Sequence, residues 1–499
     1  MEYFWQNIPF FCILLCIASA SFTSIMPRKM ARAACLFVVG SVLAMSILLC
    51  GYVSSYGTFY TYMMGHFPAP WGNEIRVGLL ESITAIAFSV IMLLSIIGGI
   101  EQVAHHVFDD KQSLYYIMLE LLMAALLAQV YTNDLFTAYV FVEIMTLSAC
   151  ALIVARSKGR TLVAATRYMI MNLMGSGLFL LGLTYLYGLT GHLLMSNIQQ
   201  QVAVLAETGE HARALTVTIA LMSVGLAIKS ALFPFHTWIP DAYGHSTPTS
   251  SAVLSSLVSK GYIFLLIKIY YRVIGLDVVN QTRINDVLFV FGLVGIIMGS
   301  LSAIREKDVR RMVSFSSVAQ IGYIYMGIGM GTEAGMVAAV FHIFVHGMAK
   351  SMLFLSTSGL IQESGWKTDF RSLRGSGFRN PIAGVAFSVG SFSMVGIPFL
   401  GGFISKVYFA KAAMMMRPAE TLIVLLVLAA STILNTIYFL KTVITLYRPP
   451  IDGAVNAPRA RVKASFAVSL VCLIAANFFL GTFSQPIIEA IRAGLNMFA

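Results

Sequence analysis

Charge is what this sequence has least of. Only 11% of its 499 residues are Asp, Glu, Lys or Arg, and just 22 are acids. With 58% hydrophobic residues and a mean hydropathy of +0.81, a soluble chain could not hide its apolar surface, so lipid must be the solvent for most of it. Short segments of alternating polarity are also missing, which excludes a transmembrane β-barrel. The six cysteines (Cys12, Cys16, Cys35, Cys50, Cys150 and Cys472) all lie inside apolar runs and form no CxxC pair. That argues against a disulfide framework and against a zinc or iron–sulfur site, so no metal and no cofactor is expected. If the chain serves a redox machine, the redox centres sit on other chains. The first residues, MEYFWQNIPFFCILLCIASASF, lack a basic leader and read as a first membrane helix, not a cleaved signal peptide.

Long apolar runs are what is there. About 20 apolar residues cross a bilayer, and the runs predict an all-α, polytopic membrane protein with fourteen spans. These fall at 5–25, 33–53, 79–98, 114–131, 134–154, 165–187, 214–233, 248–271, 286–304, 313–330, 334–360, 381–412, 421–446 and 465–484. The net charge of +11 invites a nucleic-acid reading, but the basic residues are scattered over short loops, as topology signals are. With the N-terminus outside, the inner segments 28–32, 111, 156–160, 305–311, 367–379 and 448–463 (Arg459 among them) hold 19 Lys and Arg. The outer segments hold 6: Arg76, Arg213, Arg272, Arg283, Arg417 and Arg492. This asymmetry puts both termini outside the plasma membrane. The chain 1–499 reads as one membrane domain, uninterrupted by soluble segments.

Two prolines interrupt spans at corresponding points of the two halves, Pro234 in LFPF and Pro398 in GIPF. A proline in a span removes a backbone hydrogen bond, and the freed carbonyls need protein or water partners. Matching broken helices suggest an inverted repeat with a polar pathway near the midplane; two ordinary proline kinks are the alternative.

Ionisable groups deep in a span cost about 2.5–3.5 kcal/mol each on insertion scales. Here they include Glu143, Lys229, Lys260 and Lys406, and also His342, His346 and Lys350 at i, i+4 and i+8. Together the cost is of order 15 kcal/mol, too much without pairing or water. The bland explanation is structural ion pairs, yet Lys229, Lys260 and Lys406 have no acid of their own in the same span. Lys268, Lys411 and Lys441 lie nearer span ends and are expected to snorkel. Glu120 either seals a helix–helix contact or has a function. His342 and His346 have zinc-ligand spacing but no third ligand nearby, and His105 and His106 read as a loop. A relay has a direct physical logic. Desolvation favours a neutral amine, and a nearby carboxylate favours the ammonium. At about 4 Å and an effective dielectric near 20, a Glu–Lys pair is worth roughly 4 kcal/mol, about three orders of magnitude in proton affinity. Opening the pair releases the proton, closing it reloads the lysine, and histidine is the natural intermediate carrier.

At these residues the sequence resembles the antiporter-like subunits of the complex I superfamily, which includes subunits of Mrp-type cation/proton antiporters, membrane-bound hydrogenases and NADH dehydrogenases. The motifs are TNDLFTAYVFVEIMTLSA, KSALFPFHTWIPDAYGHSTPTSSAVLSSLVSK, REKDVRRMVSFSSVAQIGY, FHIFVHGMAKSMLFL and GIPFLGGFISK, and the resemblance runs from about residue 60 to 447. FPAPWGNEIRV and YLYGLTGHLLMSNI are most similar to the Mrp D-type and related hydrogenase subunits. The resemblance implies a fourteen-helix fold with two inverted five-helix repeats, 114–273 and 284–447, whose seventh and twelfth helices are broken. It implies a proton relay through Glu143 and Lys229, then Lys260, then His342, His346 and Lys350, ending at Lys406. Three features depart from the family pattern. Arg167 stands where a lysine is common, and an arginine can hold charge but not release its proton. The acid that opens the third helix is shifted, to Glu81. The sequence runs only a short way past the fourteenth span, so no long lateral helix is expected.

The function so implied is a proton-translocating subunit of a multi-subunit ion-pumping membrane complex, with other membrane chains, the bilayer, H⁺ and possibly Na⁺ as partners. A self-sufficient cation/proton antiporter is the alternative. An integral-membrane enzyme would need acids or histidines clustered at the membrane face.

Overall fold

The computed structural model describes residues 2–68, 71–449 and 461–498. Arg459, counted above among the inner basic residues, lies outside the described residues, as do Ala69 and Pro70 of the FPAPW motif.

The chain is almost entirely helical. Two helices, α1 (Glu2–Thr23) and α2 (Arg28–Tyr56), precede a small hairpin of β1 (Tyr60–Met63) and β2 (Glu74–Val77). Then come α3 (Leu79–His106), α4 (Gln112–Tyr131), α5 (Leu135–Val154), α6 (Gly159–Thr190) and a short amphipathic α7 (Met195–Thr208). The next two crossings are composite. α8 (Ala212–Ser230) is followed by a break and α9 (Ile239–His245), and α10 (Pro248–Val253) continues into α11 (Ser259–Ile269). After the one-and-a-half-turn α12 (Leu276–Gln281) come α13 (Ile284–Arg305), α14 (Val309–Gly329), α15 (Glu333–Glu363) and the single turn α16 (Ser376–Arg379). α17 (Pro381–Val395) and α18 (Gly401–Ala413) form a second broken crossing, followed by α19 (Pro418–Leu446), α20 (Ala464–Thr482) and α21 (Ser484–Asn496).

Among the described residues, twelve helical stretches are long and apolar enough to cross a membrane. α14 and the broken pair α17–α18 bring the crossings to the expected fourteen. α14 falls short on polarity because it is wholly inside the bundle, where small and hydroxylated residues such as Ser314, Ser316, Ser317 and Gly322 pack helix against helix. The eighth span and α15 are likewise buried all round, whereas α1, α2 and α19 turn Phe11, Phe37, Leu48, Leu426 and Ile433 outward to lipid.

The hairpin was not expected. Tyr60 pairs with Val77 and Met63 with Glu74, and Asn133 donates its backbone N–H to the Glu74 carbonyl at 2.8 Å, so the hairpin covers the end of α4. Both chain ends meet it. Trp5 stacks on Tyr52, and Tyr60 donates to the Trp5 carbonyl at 3.4 Å; Arg76 donates to the Met497 carbonyl. α21 buries Ile488, Ile491 and Leu495 and turns Gln485, Glu489 and Arg492 out, an interfacial pattern. An even number of crossings and two ends on one face agree.

Three expectations need correction. His105 and His106 form the last turn of α3, not a loop; both rings pack edge-on against Trp366, with centroids 4.5 and 4.7 Å away. Arg272 is not a loop charge but a buried residue in a π-helical turn, Tyr270–Ile274. Lys268 does not snorkel. It is fully buried, and its ammonium donates to the carbonyls of Val130 (2.7 Å) and Thr132 (2.5 Å) at the C-terminus of α4, where helix carbonyls favour a cation. Lys411 and Lys441 do stay exposed.

Candidate functional site: a buried seam of lysines and histidines

Glu143 on α5 and Lys229 on α8 meet at 3.3 Å. Lys229 is 0% exposed and Glu143 26%, so one partner is sealed and the other opens on the flank of the bundle. Hydroxyls complete the pair: Ser176 donates to Glu143, and Lys229 donates to Thr146 at 2.8 Å. Thr146 lies 2.9 Å from the Tyr262 hydroxyl, and the ammonium stands 5.3 Å over that ring. Thr146 is three residues after Glu143 on the same helical face, a spacing that could have flagged it in the sequence.

Lys229 is the next-to-last residue of α8. Ala231 takes a left-handed conformation (φ 62°), and the N–H groups of Ala231 and Leu232 return to the carbonyls of Ile228 and Ala227. The first break is thus closed by its own backbone, and so is the second, where the N–H groups of Gly396 and Ile397 return to the carbonyls of Ser393 and Phe392. α17 ends at Val395, Gly396 is left-handed (φ 94°), and the chain runs through Pro398 before α18 begins. Lys406 reaches back across this gap, and its ammonium donates to the freed Val395 carbonyl at 2.7 Å and to Thr432 at 2.9 Å. A Cβ on Gly396 would lie 3.0 Å from Lys406 Cδ, so the glycine makes room for the lysine.

Between these ends lie Lys260 and the α15 group. A π-helical turn, Leu254–Val258, precedes Lys260 and leaves the Ser255 carbonyl available. Lys260 donates to it at 2.5 Å and to Ser259 at 3.1 Å. His342 and His346 are stacked, with ring centroids 5.9 Å apart and planes 7° from parallel. His342 Nδ1 is 2.9 Å from the hydroxyl of Ser405, the neighbour of Lys406. Neither His346 nitrogen nor His342 Nε2 has a hydrogen-bond partner among the described residues. Lys350 donates to the Val313 carbonyl at 2.9 Å and to Ser316. Lys260 and Lys406 lie near His342, and Lys260 and Lys350 near His346.

The seven candidate residues therefore line one seam along the packed helices α5, α8, α11, α15 and α18, buried except at Glu143 and Lys406, which are partly exposed. Among the described residues, Lys229 alone of its four lysines has a carboxylate partner; Lys260, Lys350 and Lys406 are held by carbonyls and hydroxyls. No group of three or more His, Cys, Asp or Glu able to hold a metal occurs among the described residues. Glu120 lies outside the seam. It accepts from Ser19 at 3.0 Å and Thr23 at 3.3 Å and joins α4 to α1. The sequence reading missed Asp241, which pairs with both Arg167 and Arg311 at the basic-loop face. It borders a cavity of about 310 Å³ that also touches Arg160 and His245. Asp241 sits in the first turn of the short α9, and nothing local marks its pairing, because both partners are distant in sequence.

Known proteins agree with this architecture. The chain is 30% identical to an N-type NADH-quinone oxidoreductase subunit of Desulforudis audaxviator, covering 95% of this chain and 96% of that one. It is 26% identical to a D-type Na⁺/H⁺ antiporter subunit of Alkalihalophilus pseudofirmus, covering 91% and 89%. Its fold matches a chain of the Mrp complex from Dietzia sp. (TM-score 0.87, 22% identity, 99% and 98% covered). It also matches a chain of the membrane-bound sulfane sulfur reductase, an archaeal respiratory membrane complex (TM-score 0.88, 23% identity, 99% and 98% covered). The family described as NADH:quinone oxidoreductase/Mrp antiporter, transmembrane, matches residues 132–433, the stretch that carries the whole seam, and the chain belongs to that family.

Proposed function

We propose that this chain is a proton-translocating, antiporter-like subunit of a multi-subunit ion-pumping complex, and that the seam is its relay. The observation that carries the reading is the buried Lys260 and Lys350 and the half-buried Lys406, all held without carboxylates, beside two stacked histidines with unpartnered nitrogens. Permanent buried cations would be expensive without counter-charge; groups that exchange protons with water are not permanent. Unpartnered buried nitrogens call for water as partner. The Glu143–Lys229 pair gates one end. Closed, the carboxylate holds the ammonium; open, Lys229 passes its proton toward Lys260 and then His346 and His342. Lys406, lying over the unwound backbone of the second break, exchanges protons with one aqueous face. The two broken crossings belong to inverted repeats at 114–273 and 284–447. The chain sits in the plasma membrane with both termini outside, because the basic loops orient it.

The relatives' names, an NADH-quinone oxidoreductase subunit and a Na⁺/H⁺ antiporter subunit, and the fold neighbours within multi-subunit membrane complexes support assembly with other membrane chains. Purification decides between this and a self-sufficient antiporter. The chain is expected to co-purify with other membrane subunits and, isolated in liposomes, to show neither redox activity nor full Na⁺/H⁺ exchange. Full exchange by the isolated chain would replace this reading with the self-sufficient one.

A further inference from the structure

At the basic-loop face, away from the seam, lies the cavity of about 310 Å³ that Asp241 borders. One wall is the start of α6, with Gly159, Arg160, Val163, Ala164 and Arg167; the other is α9, with Asp241 and His245. Arg160, Val163, Ala164 and Arg167 stand at i, i+3, i+4 and i+7, so they share one face of their helix. Along the helix axis the two arginines are about 10 Å apart. Cations outnumber anions here. Asp241 is shared between Arg167 and Arg311, and Arg311 also pairs with Glu306 at 3.2 Å. Arg156 donates to the His245 carbonyl at 3.4 Å and adds a further positive charge. Among the described residues, no ion pair or hydrogen bond engages the Arg160 side chain.

The surroundings of these arginines are apolar. Arg167 is 61% exposed, and Leu162, Val163, Ile170, Leu173 and Met174 around it on α6 are exposed too. Arg167 therefore stands on a lipid-facing stripe, about 12 Å along the helix from its start at Gly159. An arginine in such a place is costly unless its head reaches an anion or the headgroup layer. Asp241 answers only part of this need, because Arg311 claims its other oxygen. The cavity is thus open and cationic, and Val163 joins it to the apolar stripe. An amphiphile with an anion at one end fits both features. A phosphodiester between Arg160 and Arg167 accepts paired hydrogen bonds from their planar forks, and its acyl chains lie along the stripe from Val163 to Met174. A soluble anion would satisfy the arginines but leave the stripe uncovered.

We propose that this cavity binds the phosphate of an anionic phospholipid from the leaflet on the basic-loop side, held by Arg160 and Arg167, with its chains against α6. Basic pockets between membrane helices on the positively charged side are general seats for anionic headgroups. The bound lipid shares Arg167 with Asp241 and so ties α6 to α9, the second half of the broken crossing that carries Lys229. The site does not depend on the relay reading, because binding is measured without transport.

The assembled complex is reconstituted in phosphatidylcholine vesicles carrying a trace of photoreactive phosphatidylglycerol or, in parallel, photoreactive phosphatidylcholine, each reactive on its acyl chain. Label is mapped on α6 and, as the bulk-lipid reference, on α19, whose Leu426 and Ile433 also face outward. The ratio of phosphatidylglycerol to phosphatidylcholine label is expected to be about tenfold higher on α6 than on α19, and to fall about fivefold in Arg160→Gln. Adding Arg167→Gln should bring α6 down to the α19 ratio. Equal ratios on the two helices of the parent, or an α6 ratio that survives both substitutions, overturns the site. Excess inorganic phosphate is expected to leave the α6 ratio unchanged; its collapse would assign the cavity to free phosphate and overturn the lipid. Equal ratios in the parent together with release of a neighbouring subunit by Arg160→Gln would show that the arginines hold a protein instead. If loss of the Asp241 pair in Arg167→Gln prevents assembly, Arg160→Gln decides alone by the same fivefold fall, since its side chain holds nothing within the described chain.

Discussion

At the scale of single residues, Glu143 and Lys229 carry the sharpest test, because the two explanations of their ion pair diverge. If the pair gates a relay, Glu143→Gln keeps shape and the Ser176 contact but removes the charge that holds the Lys229 proton. Translocation per assembled complex is then expected to fall about tenfold or more, with Glu143→Asp intermediate because the charge survives on a shorter arm. If the pair is only structural, Glu143→Gln strands a buried lysine. That costs about 3–5 kcal/mol and lowers abundance while each assembled complex pumps normally. Quantifying the complex alongside its transport distinguishes the two. Lys229 also donates to Thr146, so the ammonium is not left wholly unpartnered in the variant, which favours survival of the assembly.

The two helix breaks look alike in sequence and close alike on their own backbone. Each has a proline, yet at the second Lys406, from the following helix, reaches back to take up the Val395 carbonyl. Gly396 is therefore placed to affect function through conformation alone. An alanine there must hold a left-handed backbone, at about 1–2 kcal/mol, and its Cβ crowds Lys406 Cδ. Gly396→Ala is expected to lower both the thermal midpoint of the complex and its translocation rate. Gly177→Ala, in the α6 helix with open space around it, is expected to lower neither. Unaltered transport in Gly396→Ala would detach the second break from the proton path.

At the scale of the whole molecule, the two chain ends meet the hairpin on one face, and the basic loops gather on the other. There Arg310 donates to the carbonyls of Tyr243 (3.0 Å) and Ser246 (2.6 Å), and Lys463 pairs with Glu101. The hairpin face is expected outside. Tags at the two termini should be reached by impermeant reagents from outside intact cells, and cysteines placed at 305–307 only from inside. Labelling of the termini from the cytoplasm alone would invert the orientation.

How much of this was legible depends on the range of the forces involved. Transfer from water to lipid is a local, nearly additive property of each stretch of chain, so the fourteen crossings, the buried positions of Lys229, Lys260 and Lys350, and the breaks at Pro234 and Pro398 could be read from the sequence. Who partners a buried charge is not local. Lys229 meets Thr146 across 83 positions and Lys268 meets Val130 across 138. The sequence placed Lys268 near a span end, where a lysine snorkels; packing put the end of α4 beside it and made it an internal cap. The same holds for Arg272, Asn133 and Glu74, which read as loop residues until the hairpin folds over them. Composition and motif determined by themselves that the chain lives in a membrane with ionisable groups at its centre. Only the tertiary structure decided which of those groups touch, because a buried charge is stabilised by whichever helix end or hydroxyl the packing brings within about 3 Å.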